Sequence, residues 1–296
     1  MFSRKPIIVT HNSQFHADDV CAVAVLHLVL KGRYKVVRSR EPRVIDAADY
    51  VVDVGGVFDA SRQRFDHHQK GGAGERQNRI PYAAFGLVWK EYGLMLTGSE
   101  AVARDIDENV VTPFDASDNG FEIYESKVKG VEPYTFSHYL SSLNPSWDES
   151  QDFDARFKEA VAIAVPMLRR AIERAVGSEK GKKFTEEAYQ KAEDKRIIEL
   201  DGLYPWREIL LSHPEPVFVV RKNAEGGTWG ARAIPLEETG FANRKDFPPE
   251  WAGLSGGELA RVSGVSDAVF CHNKRFLVVA KTREGALKLA RKALEA

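Results

Sequence analysis

The chain has 296 residues, of which 43% are hydrophobic, and a formal net charge of −1 at pH 7. This length suits one large or two ordinary domains with a real core. The near-zero charge excludes general attraction to nucleic acid or to anionic membranes, so a polyanion needs a local basic patch. Two cysteines are too few for a disulfide framework, and no apolar run approaches the roughly 20 residues of a membrane span. We therefore expect a cytoplasmic protein with no membrane partner.

The first half of the chain has the pattern of an open α/β sheet. Residues 6–10, 35–38 and 49–54 are rich in β-branched residues and predict strands, and residues 17–31 predict a helix. Ligands of such sheets collect at the carboxyl ends of the strands. The other predicted elements are a loop at 69–80, a helix at 81–94, two helices between 152 and 197 with a break at 181–183, strands at 217–221, 228–234 and 276–280, and a helix at 284–295.

Histidines and aspartates follow two of the predicted strands. His11, His16 and Asp18 lie between a strand and a helix, where such side chains can converge on a divalent metal. Asp18 and its neighbour Asp19 also suit the start of a helix, and for Asp19 the two interpretations are equally favoured. Asp53 ends an apolar run, and a buried carboxylate is costly unless it is paired or metal-bound. The alternative for Asp53 is a cap on the glycine turn that follows.

Two further clusters complete the candidate metal site. Asp66, His67 and His68 allow one imidazole to bind a metal while the aspartate orients a histidine, although such triplets also occur on surfaces by chance. Asp115 and Asp118 follow apolar residues, and the Asn-Gly pair after them predicts a turn that one of them serves. Together the four clusters supply about seven ligands, which suits two ions that share a carboxylate.

The sequence resembles the DHH phosphoesterase superfamily, and within it the Myg branch (melanocyte-proliferating-gene-like proteins), a group of metal-dependent hydrolases. The resemblance covers nearly the whole chain, and its motifs are specific in combination. They are THNSQFHADD at 10–19, VVDVGG at 51–56, RFDHHQ at 64–69, DASDNG at 115–120, RKDFPPEWAGLSGGEL at 244–259, GVSDAVFCH at 264–272 and KTREGAL at 281–287.

The resemblance implies an α/β fold in which an N-terminal open, mostly parallel sheet is flanked by helices. A helical connector and a smaller C-terminal α/β domain follow. The implied bounds are 1–145 for the DHH-like metal-binding catalytic domain, 146–200 for the connector and 201–296 for the substrate-binding domain. The implied cofactors are two divalent metal ions, Mn²⁺ or Mg²⁺.

Carried over by position, the resemblance also implies the roles of the site residues. His68 contacts the scissile phosphate, and Asp66 supports it. Most members have an aspartate four residues after the first histidine, whereas this chain has His16 at five, which favours Mn²⁺ over Mg²⁺. The implied ligands are His11, His16 and Asp53 for one ion, and Asp18, Asp53, His67 and either Asp115 or Asp118 for the other, with Asp53 bridging.

The C-terminal region is expected to bind the phosphate groups of the substrate. Residues 255–296 contain eight Lys or Arg against four acids, although part of this charge belongs to a solvated helix face. Glycines let backbone N–H groups approach a phosphate, but a Gly-Gly pair equally suits an ordinary loop. Trp206, Trp229 and Trp251 are expected to pack in the protein rather than stack on bases. The expected substrate contacts are Arg232, Ser255, Gly256, Gly257, His272, Lys281 and Thr282.

These observations predict a metal-dependent phosphodiesterase that acts as an exonuclease on single-stranded RNA or DNA. One alternative is a phosphohydrolase of a small substrate such as pyrophosphate, a short oligonucleotide or a cyclic dinucleotide. Another is a non-catalytic metal-binding protein. Binding of a long polyanion falls steeply with salt and binding of a small substrate does not, which separates the first two. A homodimer is left open, and the sequence contains no HExxH motif that would indicate a zinc peptidase.

Overall fold

The described part of the chain has two separate five-stranded sheets, which include all six predicted strands and four that were not predicted. A computed structural model describes residues 4–240 and 242–296 of the chain. It divides into two compact units, the first ending at Val176 and the second beginning at Gly177. Both units are α/β structures, which confirms the predicted fold class. No helix in the described part of the chain is both long and apolar enough to span a membrane.

The first unit is built on a mostly parallel sheet. Its elements in chain order are β1 (Ile7–Thr10), α1 (Ala17–Val29), β2 (Lys35–Arg38), α2 (Pro42–Asp46), β3 (Tyr50–Val52), β4 (Phe58–Asp59), β5 (Arg64–Phe65), α3 (Ala84–Thr97), α4 (Glu100–Ile106), α5 (Thr112–Asp118), α6 (Phe136–Ser141) and the first part of α7 (Phe153–Lys191). The sheet order is β2-β1-β3-β5-β4, and all pairs except β4 with β5 are parallel.

Helix α1 lies in the core of the first unit. Every residue from Ala17 to Leu26 is buried, and the helix packs mainly against α3. A helix that is apolar on all sides is expected to be buried. One consequence is that Asp18 and Asp19, in the first turn of α1, are buried as well. The fold therefore places two carboxylates in an environment where each needs a partner.

The second unit has a mixed sheet. It comprises the end of α7, β6 (Ile197–Leu200), α8 (Arg207–Leu211), β7 (Phe218–Lys222), β8 (Trp229–Ala233), α9 (Gly256–Ser263), β9 (Ala268–Cys271), β10 (Leu277–Ala280) and α10 (Arg283–Glu295). The order is β6-β7-β8-β10-β9, with only β6 and β7 parallel. Helix α10 packs on one face, and apolar residues of α7 and α8 cover part of the other.

Two predicted helix boundaries are wrong. Pro81 was predicted to start a helix, but it pairs with Glu75 in an isolated bridge and α3 begins at Ala84. The break predicted at 181–183 is absent, since α7 continues to Lys191. A Cβ at Gly181 would lie 2.5 Å from Cδ of Pro205, so this glycine allows close packing and does not end the helix. The domain boundaries at 145 and 200 stay predictions.

Candidate metal centre

Histidine and aspartate side chains converge at the carboxyl edge of the first sheet. His11 follows β1, Asp53 follows β3, and His67 lies just after β5. Because these three strands are parallel neighbours, their carboxyl ends lie at one edge. Oδ2 of Asp53 lies 3.3 Å from Nε2 of His11, and its Oδ1 lies 3.3 Å from Nε2 of His67. Asp53 therefore lies between two histidines, with one oxygen facing each.

The backbone of Asp53 is in an unusual conformation. Its φ is 54°, in the left-handed region that few residues other than glycine adopt, and its side chain is 3% exposed. Strained backbone of this kind is concentrated at functional sites. The alternative role as a turn cap is wrong, because the N–H of Gly56 donates to Asp66.

Two helices bring further carboxylates to this edge. Asp18 comes from the first turn of α1, and Asp118 is the last residue of α5. Oδ2 of Asp118 lies 3.2 Å from Nε2 of His67, and its Oδ1 lies 4.0 Å from Nδ1 of His16. The sequence placed Asp118 beside a turn after apolar residues, whereas the structure shows that it belongs to a helix.

Asp115 has a different environment from Asp118. It is fully buried, and its Oδ2 lies 2.8 Å from a guanidinium nitrogen of Arg76. Its Oδ1 accepts a hydrogen bond of 3.0 Å from the N–H of Gly86 in α3. A Cβ at Gly86 would lie 1.9 Å from Oδ2 of Asp115, so the close approach requires glycine. Asp115 therefore already has a counter-charge and a structural role.

Asp19 is a site residue that sequence reasoning left undecided. Its Oδ1 accepts a hydrogen bond of 3.0 Å from the N–H of His16, which caps α1. Its Oδ2 lies 3.2 Å from Nε2 of His11. Asp19 thus caps α1 and also faces His11 of the cluster. The spacing of three residues between His16 and Asp19, typical of a capping box, was the available signal.

Arg38 is a residue that sequence reasoning missed. It ends β2, next to β1 in the sheet, and its side chain is only 2% exposed. It donates a hydrogen bond of 2.7 Å to the carbonyl of Ser13, whose φ is 70°. Its guanidinium lies 4.8 Å from the ring centre of Phe157. Arg38 therefore holds the loop that carries His11 and His16. In the sequence, only the position of a cation at the end of a strand indicated this role.

The donor atoms of this cluster fit a divalent metal. Buried polar atoms are normally hydrogen-bonded, yet several here have no such partner. Metal ligands at bond lengths of about 2.1 Å lie about 3 Å apart, close to the distances measured here. In the part of the chain that the structure describes, three groups have donor atoms within 4.8 Å of one another: His11, His16 and Asp53; Asp53, His67 and His68; and His16, Asp18 and Asp118. Among the described residues, the buried atoms of this cluster without a hydrogen bond are His11 Nε2, Asp18 Oδ1, Asp19 Oδ2, Asp53 Oδ1 and His67 Nε2. Oδ2 of Asp115 also lacks one, although it faces Arg76.

The charges of the cluster are strongly coupled. Burial alone lowers the pKa of His11, but the carboxylates of Asp19 and Asp53 outweigh it and raise that pKa to about 10. For His67 the opposing carboxylates are Asp118 and Asp53, and its pKa is again about 10. Burial raises the pKa of Asp53, but the two histidines lower it to about 2. Burial and neighbouring carboxylates raise the pKa of Asp18. Protons on the histidines thus balance acids that a metal ion can balance instead.

We predict that the increase in melting temperature caused by Mn²⁺ grows between pH 6 and pH 8. The histidine pKa values of about 10 exceed the unfolded value of 6.5. Their contribution to metal-free stability is therefore complete below pH 6.5 and is lost as pH rises through 10. A metal that displaces both protons binds about 100-fold more tightly per pH unit. Thermal melts with and without Mn²⁺ measure this, and an increase independent of pH contradicts it.

The residues predicted to contact substrate do not form one cluster. Arg232 of β8 lies opposite Leu277 at the start of β10, whereas Lys281 follows the end of β10. Four strand residues span about 13 Å. Thr282 caps α10, and its hydroxyl donates to Asp267 at 2.6 Å, which gives it a structural role. His272 accepts a hydrogen bond from the backbone of the next turn through Nδ1.

The glycine-rich loop before α9 stays a candidate phosphate contact. Ser255 precedes the helix and makes an isolated backbone bridge with Phe270. Gly256 has a φ of 51°, and neither it nor Gly257 has a heavy atom near the position of a Cβ. Their backbone is therefore open to a ligand. Trp206 and Trp251 are buried, as expected for packing residues.

These features define an α/β protein with a candidate divalent-metal site at the carboxyl edge of a mostly parallel sheet. The chain belongs to the MYG1_exonuc family, described as an uncharacterised protein family (UPF0160), whose model matches residues 7–294. It is 32% identical to the human MYG1 exonuclease, over 98% of this chain and 86% of that protein. It is also 31% identical to a MYG1 protein of Chlamydia pneumoniae, over 97% of this chain and 96% of that protein.

A solved structure of the exonuclease RecJ bound to manganese is also similar. It is 14% identical and covers 99% of this chain and 91% of its own, with a TM-score of 0.25. This TM-score is too low for individual residues of the two proteins to be matched.

Proposed function

We propose that this protein is a metal-dependent phosphodiesterase that acts as an exonuclease on single-stranded RNA or DNA. The position of Asp53 between His11 and His67, among buried donor atoms that lack hydrogen bonds, carries the proposal. The human relative is named an exonuclease, which supports the reaction class. The sequence motifs that resemble DHH phosphoesterases support it as well.

We propose that the centre binds two divalent ions. Asp18, Asp19, Asp53 and Asp118 carry four negative charges when ionised, and two divalent ions balance them. The histidine ligands favour Mn²⁺ over Mg²⁺. We propose Asp118 in preference to Asp115 because only Asp118 faces a histidine of the cluster. The proposed ligands are His11, His16 and Asp53 for one ion, and Asp18, Asp53, His67 and Asp118 for the other.

The side chains around the centre suit phosphodiester hydrolysis. When bound, two divalent ions activate a water molecule and stabilise charge on the phosphoryl and leaving oxygens. His68 donates a hydrogen bond of 2.8 Å from Nδ1 to Asp66, which fixes the ring. The side chain of His68 is 62% exposed, so its Nε2 can reach a phosphoryl oxygen, whereas His67 is 9% exposed. We assign substrate contact to His68, and the positioning of its ring to Asp66.

We also propose a division of labour along the chain. In this proposal residues 1–145 carry the metal centre and residues 201–296 bind the substrate. Residues 146–200 connect these two domains. Every proposed metal ligand lies in the first unit, together with His68, and the other candidate phosphate contacts lie in the second.

Cleavage of end-labelled single-stranded RNA and DNA, with Mn²⁺ and with a chelator, tests the proposed function. Progressive shortening from one end that stops with the chelator is the expected result. Phosphate release from pyrophosphate, with no shortening of either strand, supports the small-substrate alternative instead. The near-zero net charge is the observation that favours this alternative. Absence of turnover in metal-loaded protein contradicts the enzymatic proposal.

Substitution of the two aspartates of α5 distinguishes their roles. We expect Asp118→Asn to weaken Mn²⁺ binding by at least about 100-fold, because a ligand is lost. Asp115→Asn is expected to leave Mn²⁺ affinity near the wild-type value and to lower the melting temperature, because its partner is Arg76. Calorimetric titration with Mn²⁺ measures the affinities. The opposite pattern, with the loss in Asp115→Asn, shows that the assignment is wrong.

A further inference from the structure

Two arginines share one face of the second sheet. Arg232 of β8 lies directly opposite Val219 of β7, and Arg221 follows two residues later on β7. Alternate residues of a strand point to the same face, so the two arginines are diagonal neighbours about 7–8 Å apart. Arg207, at the start of α8, adds a third positive charge that acts on Arg232.

Neither arginine of the pair has an acidic partner. In residues 4–240 and 242–296, no ion pair or side-chain hydrogen bond involves Arg221 or Arg232, and Nε of Arg232 is buried without a hydrogen bond. By contrast, Arg244 of the same unit donates to two backbone carbonyls. Both members of the pair are half-buried. The free protein therefore holds two half-buried like charges side by side without compensation among the described residues, which is unfavourable.

The pKa values agree with this description. Burial lowers the pKa of the Arg221 guanidinium, and the charge of Arg232 lowers it further. Burial and the charge of Arg207 lower the pKa of Arg232. No carboxylate of the described residues raises the pKa of either arginine. An anion between the two guanidinium groups removes this repulsion.

We propose that Arg221 and Arg232 form a binding site for a backbone phosphate of a single-stranded nucleic acid. Arginine presents several N–H donors that match the oxygens of a phosphate. The inference rests on the proposed function for the identity of the ligand. It adds Arg221, which the sequence did not single out, and explains how a protein of near-zero net charge binds a polyanion.

Binding of a fluorescent single-stranded RNA of about 12 nucleotides, measured by anisotropy on the full chain with a chelator, tests the proposal. We expect Arg221→Gln and Arg232→Gln each to raise Kd roughly tenfold. Each is also expected to make the slope of log K against log salt shallower by about 0.7, as one lost phosphate contact requires. Arg196→Gln is the matched control, because Arg196 is exposed and pairs with Asp194.

The thermal stability of the variants separates binding from a structural role. Since each glutamine relieves like-charge repulsion, we expect melting temperatures at or above that of the wild type. A lower melting temperature with unchanged RNA affinity overturns the proposal. If a glutamine variant fails to fold, RNA affinity and its salt slope are measured on Arg221→Lys and Arg232→Lys instead, because lysine keeps the positive charge. The proposal is also overturned if the folded double variant, with both arginines replaced by glutamine, has the RNA affinity and the salt slope of the wild type.

Two further measurements identify the source of the phosphate and distinguish failure of the arginine site from failure of the proposed function. Inorganic phosphate can stabilise the wild type but not the glutamine variants, while all of them bind RNA with the same affinity. That result overturns the nucleic-acid assignment. Hydrolysis of bis(para-nitrophenyl) phosphate with Mn²⁺ reports on the metal centre alone. If this diester is cleaved and the glutamine variants bind RNA normally, only the present inference fails. If it is not cleaved but RNA binding needs the arginines, only the proposed function fails.

Discussion

Asp53→Asn is expected to lower phosphodiesterase turnover by at least about a thousandfold while the protein stays folded. Asp53 directs one oxygen at His11 and the other at His67, so it is the residue through which both proposed ions are held. Asparagine has the same shape and tolerates the left-handed backbone at this position. It removes a negative charge from a crowded set of acids. We therefore expect metal affinity and turnover to fall, and metal-free stability to fall as well, because the protonated His11 and His67 lose a carboxylate that they share.

The matched control is Asp105→Asn, which changes an exposed aspartate of α4 in the same unit. Turnover of labelled RNA with Mn²⁺ and thermal melts of the metal-free proteins are compared. Wild-type turnover in folded Asp53→Asn contradicts the two-ion proposal. Loss of turnover in Asp105→Asn shows instead that the effect of charge is not specific to the site.

Arg76→Met is expected to lower the free energy of unfolding by about 3–5 kcal/mol, because it leaves a buried carboxylate without its counter-charge. The Arg76 side chain is 7% exposed and lies 2.8 Å from Oδ2 of the fully buried Asp115. It also donates two hydrogen bonds, of 2.8 and 2.7 Å, to Asp107. Urea unfolding with Mn²⁺ absent measures the change.

A double substitution tests the cause of this loss. If the unpaired charge is responsible, adding Asp115→Asn to Arg76→Met restores part of the lost stability, because the buried charge is removed as well. A loss below about 1 kcal/mol for Arg76→Met, the range of an exposed ion pair, means that the pair contributes little.

The convergence of histidine and aspartate side chains at the strand ends was predictable from the sequence because its signals are local. Short β-branched runs predicted β1 and β3, and the polar residues after them had to lie at the carboxyl edge of a parallel sheet. This pattern predicts that His11 and Asp53 lie at one edge of the sheet, as they do. The alternation of strands and helices likewise predicted the fold class.

The choice between Asp115 and Asp118 could not be predicted, because it depends on distant parts of the chain. The two aspartates are three residues apart on one helix. The partner of Asp115 is Arg76, 39 positions earlier in a segment that the sequence identified only as a polar loop. The close contact of Gly181 with Pro205 was hidden for the same reason, since it joins distant residues.

The strain at Asp53 also lies beyond what the sequence shows. Nothing in the local pattern predicts a left-handed conformation for an aspartate that follows an apolar strand. The structure explains it as the geometry that turns the carboxylate back toward the sheet edge, between His11 and His67. Strain of this kind is expected where function requires a particular side-chain direction.

The most direct test of the account is a crystal structure of the protein grown with Mn²⁺, with the anomalous signal of manganese used to locate the ions. We expect two peaks about 3.5–4 Å apart with Asp53 between them. One is expected beside His11 and His16, and the other beside His67 and Asp118. A map with no manganese at Asp53, or with a single ion that Asp53 does not bind, contradicts it.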